Sequence, residues 1–135
     1  MSEIQVVVYS SNAATRRYVI DTVGRYPGPA SARLCYLEIA TAAALVACVD
    51  TGEVGLAILD GEAAPAGGIG MARRLKDELP ACPPLIVLLA RPVDAWLAKW
   101  SNADAAIPWP TDPLVLCEAV SRSLRDPAGS GVRAQ

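Results

Sequence analysis

Histidine is absent from these 135 residues. That removes the commonest general base and both the Ser-His and Cys-His nucleophile arrangements. A zinc site would have to gather thiolates or carboxylates from distant parts of the chain. Cys35, Cys48, Cys82 and Cys117 lie 13, 34 and 35 positions apart, so no pair has metal-ligand or redox-motif spacing. Each sits in or beside an apolar run, where a free thiol behaves as a small buried hydrophobe. No basic n-region or cleavage site precedes the first apolar run, which follows Met1-Ser2-Glu3 directly. The longest nearly apolar stretch, Ile39 to Val49, is too short to span a bilayer and contains Thr41. A net charge of -2 carries no nucleic-acid footprint. The basic clusters Arg16-Arg17 and Arg73-Arg74-Lys76 fall on helical patterns, where they read as solvated faces. A cytoplasmic protein is expected, with no metal, nucleic-acid or membrane partner.

What is present is a core. A hydrophobic fraction of 53% against 19% charged residues argues for a folded chain, and the length fits one domain. Continuous apolar runs at 4–9, 33–39, 54–60 and 85–90, and a short one at 105–107, read as strands covered on both faces. Helical patterns lie between and after them, at 13–24, after Thr41, at 69–79, from Pro92 to about Asn102, and from Pro113 to about Leu124. Thr41 and Asp112 are the expected caps. On the first helix Ala14, Tyr18 and Val19 recur at helical spacing; on the third, Met71, Leu75 and Leu79 share a face. Strands alternating with helices predict a doubly wound α/β sheet of flavodoxin-like order 2-1-3-4-5, over residues 1–125, with 126–135 a Gly/Pro/Ala/Ser-rich tail. The ligand crevice of that topology lies between the first and third strands, where Ser10, Ser11 and Asp60 would meet. Asp60, closing the run Val54–Leu59 before Gly61, is either a strand-end cap or a functional carboxylate.

Over roughly residues 4–125 the chain resembles the response-regulator receiver domain family, the CheY-like proteins. The resemblance rests on the βα alternation and on Asp60, at the phospho-accepting position. It is supported by Gly70 before Met71-Ala72-Arg73-Arg74-Leu75, and by Trp109-Pro110 where receivers carry a lysine followed by proline. It implies a cis Trp109-Pro110 peptide and a partner-docking or dimerisation face on the fourth helix, fifth strand and fifth helix. The departures concern chemistry. Ser10 and Ser11 replace the acidic pair that holds magnesium in receivers. Leu89, followed by Ala90, replaces the Thr or Ser that bonds the phosphoryl group, and Trp109 replaces the lysine. The loop from Asp60 to Gly70 reads as about two residues longer than in the family, and it carries Glu62.

Phosphoryl transfer depends on positioning and charge neutralisation, which metal and cation supply. One carboxylate and two hydroxyls anchor magnesium poorly. The leading expectation is a stand-alone pseudo-receiver, not an enzyme, that binds a protein partner or a second copy of itself. The alternatives are a working receiver phosphorylated on Asp60, using magnesium with Glu62 or Arg91 as stand-ins, and a small-molecule-binding flavodoxin-like domain. The last lacks a glycine-rich phosphate loop, since Ser10 to Thr15 contains no glycine. Trp96, Trp100 and Arg122 are the expected partner face. Trp96 and Trp100 lie one helical turn apart, either as interface anchors or, for Trp100, as part of a buried stripe with Val93 and Leu97. On the last helix Leu114, Cys117, Val120 and Leu124 are expected to form the buried stripe.

Overall fold

Apolar runs with no polar alternation form strands only where helices can cover both faces. In the computed structural model, which describes residues 3–26, 32–91 and 94–125, that is how the chain folds. Strands β1 (Glu3–Tyr9), β2 (Arg33–Ile39), β3 (Val54–Asp60), β4 (Leu85–Leu89) and β5 (Ala105–Pro108) alternate with helices. These are α1 (Ala13–Val23), α2 (Ala42–Asp50), α3 (Gly68–Glu78), α4 (Ala95–Trp100) and α5 (Pro113–Arg125). The sheet is parallel with order β2-β1-β3-β4-β5, as expected.

Alternate residues of the central strands feed two cores, because successive side chains leave opposite faces. Val7, Ala57, Leu59 and Val87 pack with Leu45 of α2, Met71 and Leu75 of α3, and Ala98 of α4. Val6, Val8, Ile58 and Leu88 pack with Val19 and Val23 of α1 and with Leu116 and Val120 of α5. Thr41 accepts a bond from the Ala44 N–H, and Asp112 one from the Leu114 N–H, so both expected caps form. The Trp109–Pro110 peptide is cis, as the resemblance implies; Ala64–Pro65 is cis as well. No helix among the described residues is long and apolar enough to cross a membrane.

Several helix faces differ from the expected ones. On α5 the fully buried pair is Leu116 and Val120, whereas Leu114 is 76% exposed. Leu114, Val115 and Leu116 are consecutive, so spacing alone admits more than one phase for this helix. On α1 the buried pair is Val19 and Val23, and Tyr18 points outward. Helix α4 is shorter than expected. It is followed by Asn102 in the left-handed conformation that asparagine tolerates, and it buries only Ala98. Trp100 therefore lies outside the core, half exposed. Pro92, Val93 and the expected tail at 126–135 lie outside the described residues. The four cysteines are free and half-buried, and burial raises the thiols of Cys48, Cys82 and Cys117 above their ordinary value.

The glycine that matters at the start of α3 is Gly68, not Gly70. A Cβ at Gly68 would lie 2.7 Å from the Asp60 carbonyl oxygen and 2.8 Å from its carbon, while one at Gly70 would meet nothing within 4 Å. Backbone cannot yield as a flexible side chain does, so Gly68→Ala should cost about 1–3 kcal/mol through overpacking. Gly70→Ala should be neutral or stabilise by about 0.4–1 kcal/mol, since alanine suits a helix better. Urea unfolding of the two variants checks the contrast; equal midpoints would contradict it.

Candidate functional site

The carboxyl ends of β1 and β3 lie side by side, with Tyr9 opposite Leu59. The next residue of each strand's path is polar: Ser10 after β1, and Asp60 closing β3. Asp60 is only 8% exposed and Ser10 is fully buried. A carboxylate so placed must be hydrogen-bonded. The Ser10 hydroxyl donates to Asp60 Oδ2 at 2.7 Å, and the Glu62 N–H donates to Oδ1 at 2.8 Å. The crevice thus brings Ser10 and Asp60 into direct contact.

The surrounding bonds lock the two loops together. Ser10 Oγ accepts from the Asn12 N–H at 3.0 Å, and Arg16 Nη1 donates to the Ser10 carbonyl at 2.7 Å. Ser11 does not reach Asp60; its Oγ accepts from the Ala64 N–H at 3.0 Å. The Tyr9 hydroxyl donates to the Ala66 carbonyl at 2.6 Å, and burial together with the Asp60 charge raises its pKa, keeping it a neutral donor. Tyr9 and Arg16 were not singled out from the sequence. Tyr9 is marked only as the last strand residue before Ser10, and Arg16 reads as one of a solvated pair.

Charge is organised beside Asp60 rather than on it. None of the ion pairs among the described residues involves Asp60. Arg91 reaches Glu62 at 3.7 Å and Asp94 at 3.1 Å, so Glu62 and Arg91 are turned toward each other. Among the described residues no three His, Cys, Asp or Glu side chains converge on one point. Magnesium demands near-octahedral oxygen ligands, with one or two carboxylates among them. The donor set here is one carboxylate already accepting at both oxygens, beside two engaged hydroxyls, and it does not fit that ion.

The remaining pocket positions are apolar. Leu89 is 7% exposed and belongs to the core. Trp109 packs against the α1–α5 core and meets the Tyr18 ring edge-on, centroids 5.4 Å apart. Trp96 is 65% exposed. The Arg73 guanidinium lies over the Trp100 ring at 5.0 Å, and Arg73 Nη1 donates to the Trp100 carbonyl at 2.8 Å. Helices α4 and α5 contribute to the two different cores on either side of the sheet, and Trp96, Trp100, Leu114 and Val115 are their exposed large apolar residues. Arg122 is exposed and pairs with Glu118 at 3.4 Å.

No family model matches the chain. Two Mycobacterium tuberculosis sequences, each named an uncharacterized response regulatory protein, are 49% identical to it over 125 residues, covering 93% of this chain and 94% of theirs. Among solved structures, a signal receiver domain from Mycobacterium tuberculosis superposes with a TM-score of 0.74 at 18% identity, covering 93% of this chain and 98% of that one. A CheY-like receiver domain protein from Methanospirillum hungatei gives 0.73 at 17% identity, covering 92% and 95%. The receiver domain of NtrX from Brucella abortus gives 0.72 at 17% identity, covering 89% and 98%.

The Ser10–Asp60 contact should be worth more than an ordinary hydrogen bond, because the acceptor is a buried carboxylate. Ser10→Ala leaves Oδ2 without its hydroxyl donor and should destabilise the fold by about 1.5–3 kcal/mol. Ser11→Ala, which removes only an exposed acceptor, should cost about 1 kcal/mol or less. Denaturant midpoints of both variants measure the difference; a Ser10→Ala protein as stable as the parent would show that the contact contributes nothing.

Proposed function

The chain belongs to the response-regulator receiver family, and we propose that within it this protein is a pseudo-receiver: a cytoplasmic regulatory module, not an enzyme, that acts by binding protein. The single observation that carries this reading is the state of the Asp60 carboxylate. Ser10 and the Glu62 N–H hold it, where the family would use an acidic pair and metal. The positions that would bond and neutralise a phosphoryl group are the buried Leu89 and Trp109, which meets Tyr18 edge-on. Losing one preorganised donor lowers rates on the order of 10²–10³. Here the phosphoryl-bonding hydroxyl, the lysine and the metal anchor are lost together.

The second reading, a working receiver, is favoured by Arg91 and Glu62 lying at the mouth of the pocket. Their mutual pairing at 3.7 Å counts against it, since each would have to leave the other to serve Asp60. Intact-mass spectrometry after acetyl phosphate and magnesium treatment separates the readings. We expect no adduct; a stoichiometric phosphate adduct that disappears in Asp60→Asn would establish the working receiver. The pseudo-receiver needs no metal.

The partner surface we propose is the face formed by α4, β5 and α5, which carries Trp96, Trp100 and Arg122 together with the exposed Leu114 and Val115. Large apolar side chains left this exposed are what an interface covers, and tryptophan is enriched among interface hot spots. In the two mycobacterial relatives the match fills 94% of the length, which leaves no room in them for an effector domain. Self-association is the simplest form, because two-fold dimers are the commonest oligomers. Trp96→Ala should then weaken the dimer roughly thirtyfold, a hot-spot effect of about 2 kcal/mol. Arg122→Glu should weaken it less, and neither should lower the melting temperature. Sedimentation equilibrium checks this; a monomer at high concentration would rule out self-association.

A further inference from the structure

A cavity of about 470 Å³ opens beside the Asp60 crevice, lined by Leu89 and Ala90 at the end of β4, Ala95 at the start of α4, and Ala106, Pro108 and Trp109 along β5 and its exit. Three of these residues are alanines contributed by three different elements. An alanine chosen so that backbones can pack closely is buried; Ala90, Ala95 and Ala106 are all exposed. Their small size therefore leaves space rather than closing it.

We infer that this cavity is a binding site for a small neutral planar aromatic molecule. Three observations select that chemistry. No charged side chain is among the lining residues; Arg91, which follows Ala90, pairs with Glu62 and Asp94, and both oxygens of Asp60 accept hydrogen bonds. A charged ligand would lose water there and find no partner, whereas a neutral one would not. The volume lies toward the small end of ligand pockets, suited to one or two rings rather than to a peptide segment. Trp109 is an aromatic residue of the lining, and its ring is steadied by the edge-on contact with Tyr18.

The walls have a further meaning. Leu89 and Trp109 are the substitutions that remove phosphoryl bonding and charge neutralisation, and both line this cavity. The end of the crevice that would handle an anion has become an apolar receptor next to α4. The inference goes beyond the partner-binding reading and does not depend on whether Asp60 accepts phosphate.

Indole is the probe, titrated into the full chain while NMR follows the methyl groups of Ala90, Ala95 and Ala106. Saturable shifts at these three alanines are expected, with a Kd of about 1 mM or tighter for a ligand of this size. Ala106→Phe fills the cavity from β5 and should weaken binding at least about tenfold. If that variant does not fold, Ala90→Leu fills it from β4 and carries the same test. Absence of saturation, shifts confined to other residues, or binding that survives a folded filling variant would each overturn the inference. So would alanine shifts that appear without indole on self-association and vanish in Trp96→Ala, since the occupant would then be Trp96 of a second copy.

Discussion

A carboxylate at the carboxyl end of the central strand has to be satisfied without water, and the loops around it are arranged to do so. β3 is buried along almost its whole length, and Asp60 is only 8% exposed. An unpaired carboxylate there would cost several kcal/mol, more than the roughly 0.5–1.5 kcal/mol that an ordinary hydrogen bond contributes. The loop after β1 supplies the Ser10 hydroxyl, and the loop after β3 folds back to supply the Glu62 N–H. Further bonds tie these loops directly, from the Ala64 N–H to Ser11 Oγ and from the Tyr9 hydroxyl to the Ala66 carbonyl. Gly68 is required because α3 starts against the Asp60 backbone. The geometry of this end of the fold follows from a single charge that cannot be left bare.

The apolar residues near that charge contribute to packing. Leu89 joins the core under α3 and α4, and burying a leucine contributes about 1.5–3 kcal/mol. Trp109 covers part of the α1–α5 core and meets Tyr18. A hydroxyl and an ammonium at these places would need solvent or an anion to satisfy them. The apolar pair is satisfied by packing alone.

The fold was legible because its central strands are nearly continuous apolar runs. Val54–Asp60 and Arg33–Ile39 are bounded in the sequence where the structure bounds them. The meeting of Ser10 with Asp60 was legible from topology, although the hydrogen bond between them was not. The errors have one cause: a helix's phase depends on what it packs against. Leu114, Val115 and Leu116 are all apolar, and only the sheet selects Leu116 for the core. Gly67, Gly68 and Gly70 look interchangeable in the chain, and only the closeness of backbone to Gly67 and Gly68 sets them apart from Gly70. Trp100 was a reasonable core residue until Arg73, twenty-seven positions earlier, provided a cation for its ring and a donor for its carbonyl. The cavity escaped notice because it is made of alanines, which read as helix and strand filler.

Helix α4 is where these features converge. It has only six residues, fewer than a helix needs to be stable on its own, and it buries just Ala98. Among the described residues it is held by Ala98 in the core and by Arg73, which bonds the Trp100 carbonyl and lies over its ring, while the Ser101 hydroxyl donates to the Ala98 carbonyl within the helix end. Elements with few buried contacts open at lower free energy than the core, and small differences in interaction can bias their position. Ala95 lines the cavity while the next residue, Trp96, presents its indole to solvent. An occupant of the cavity and a partner on Trp96 would touch the same turn of the same weakly held helix. In a domain whose carboxylate is already satisfied from within, that turn is a place where one binding event can influence another.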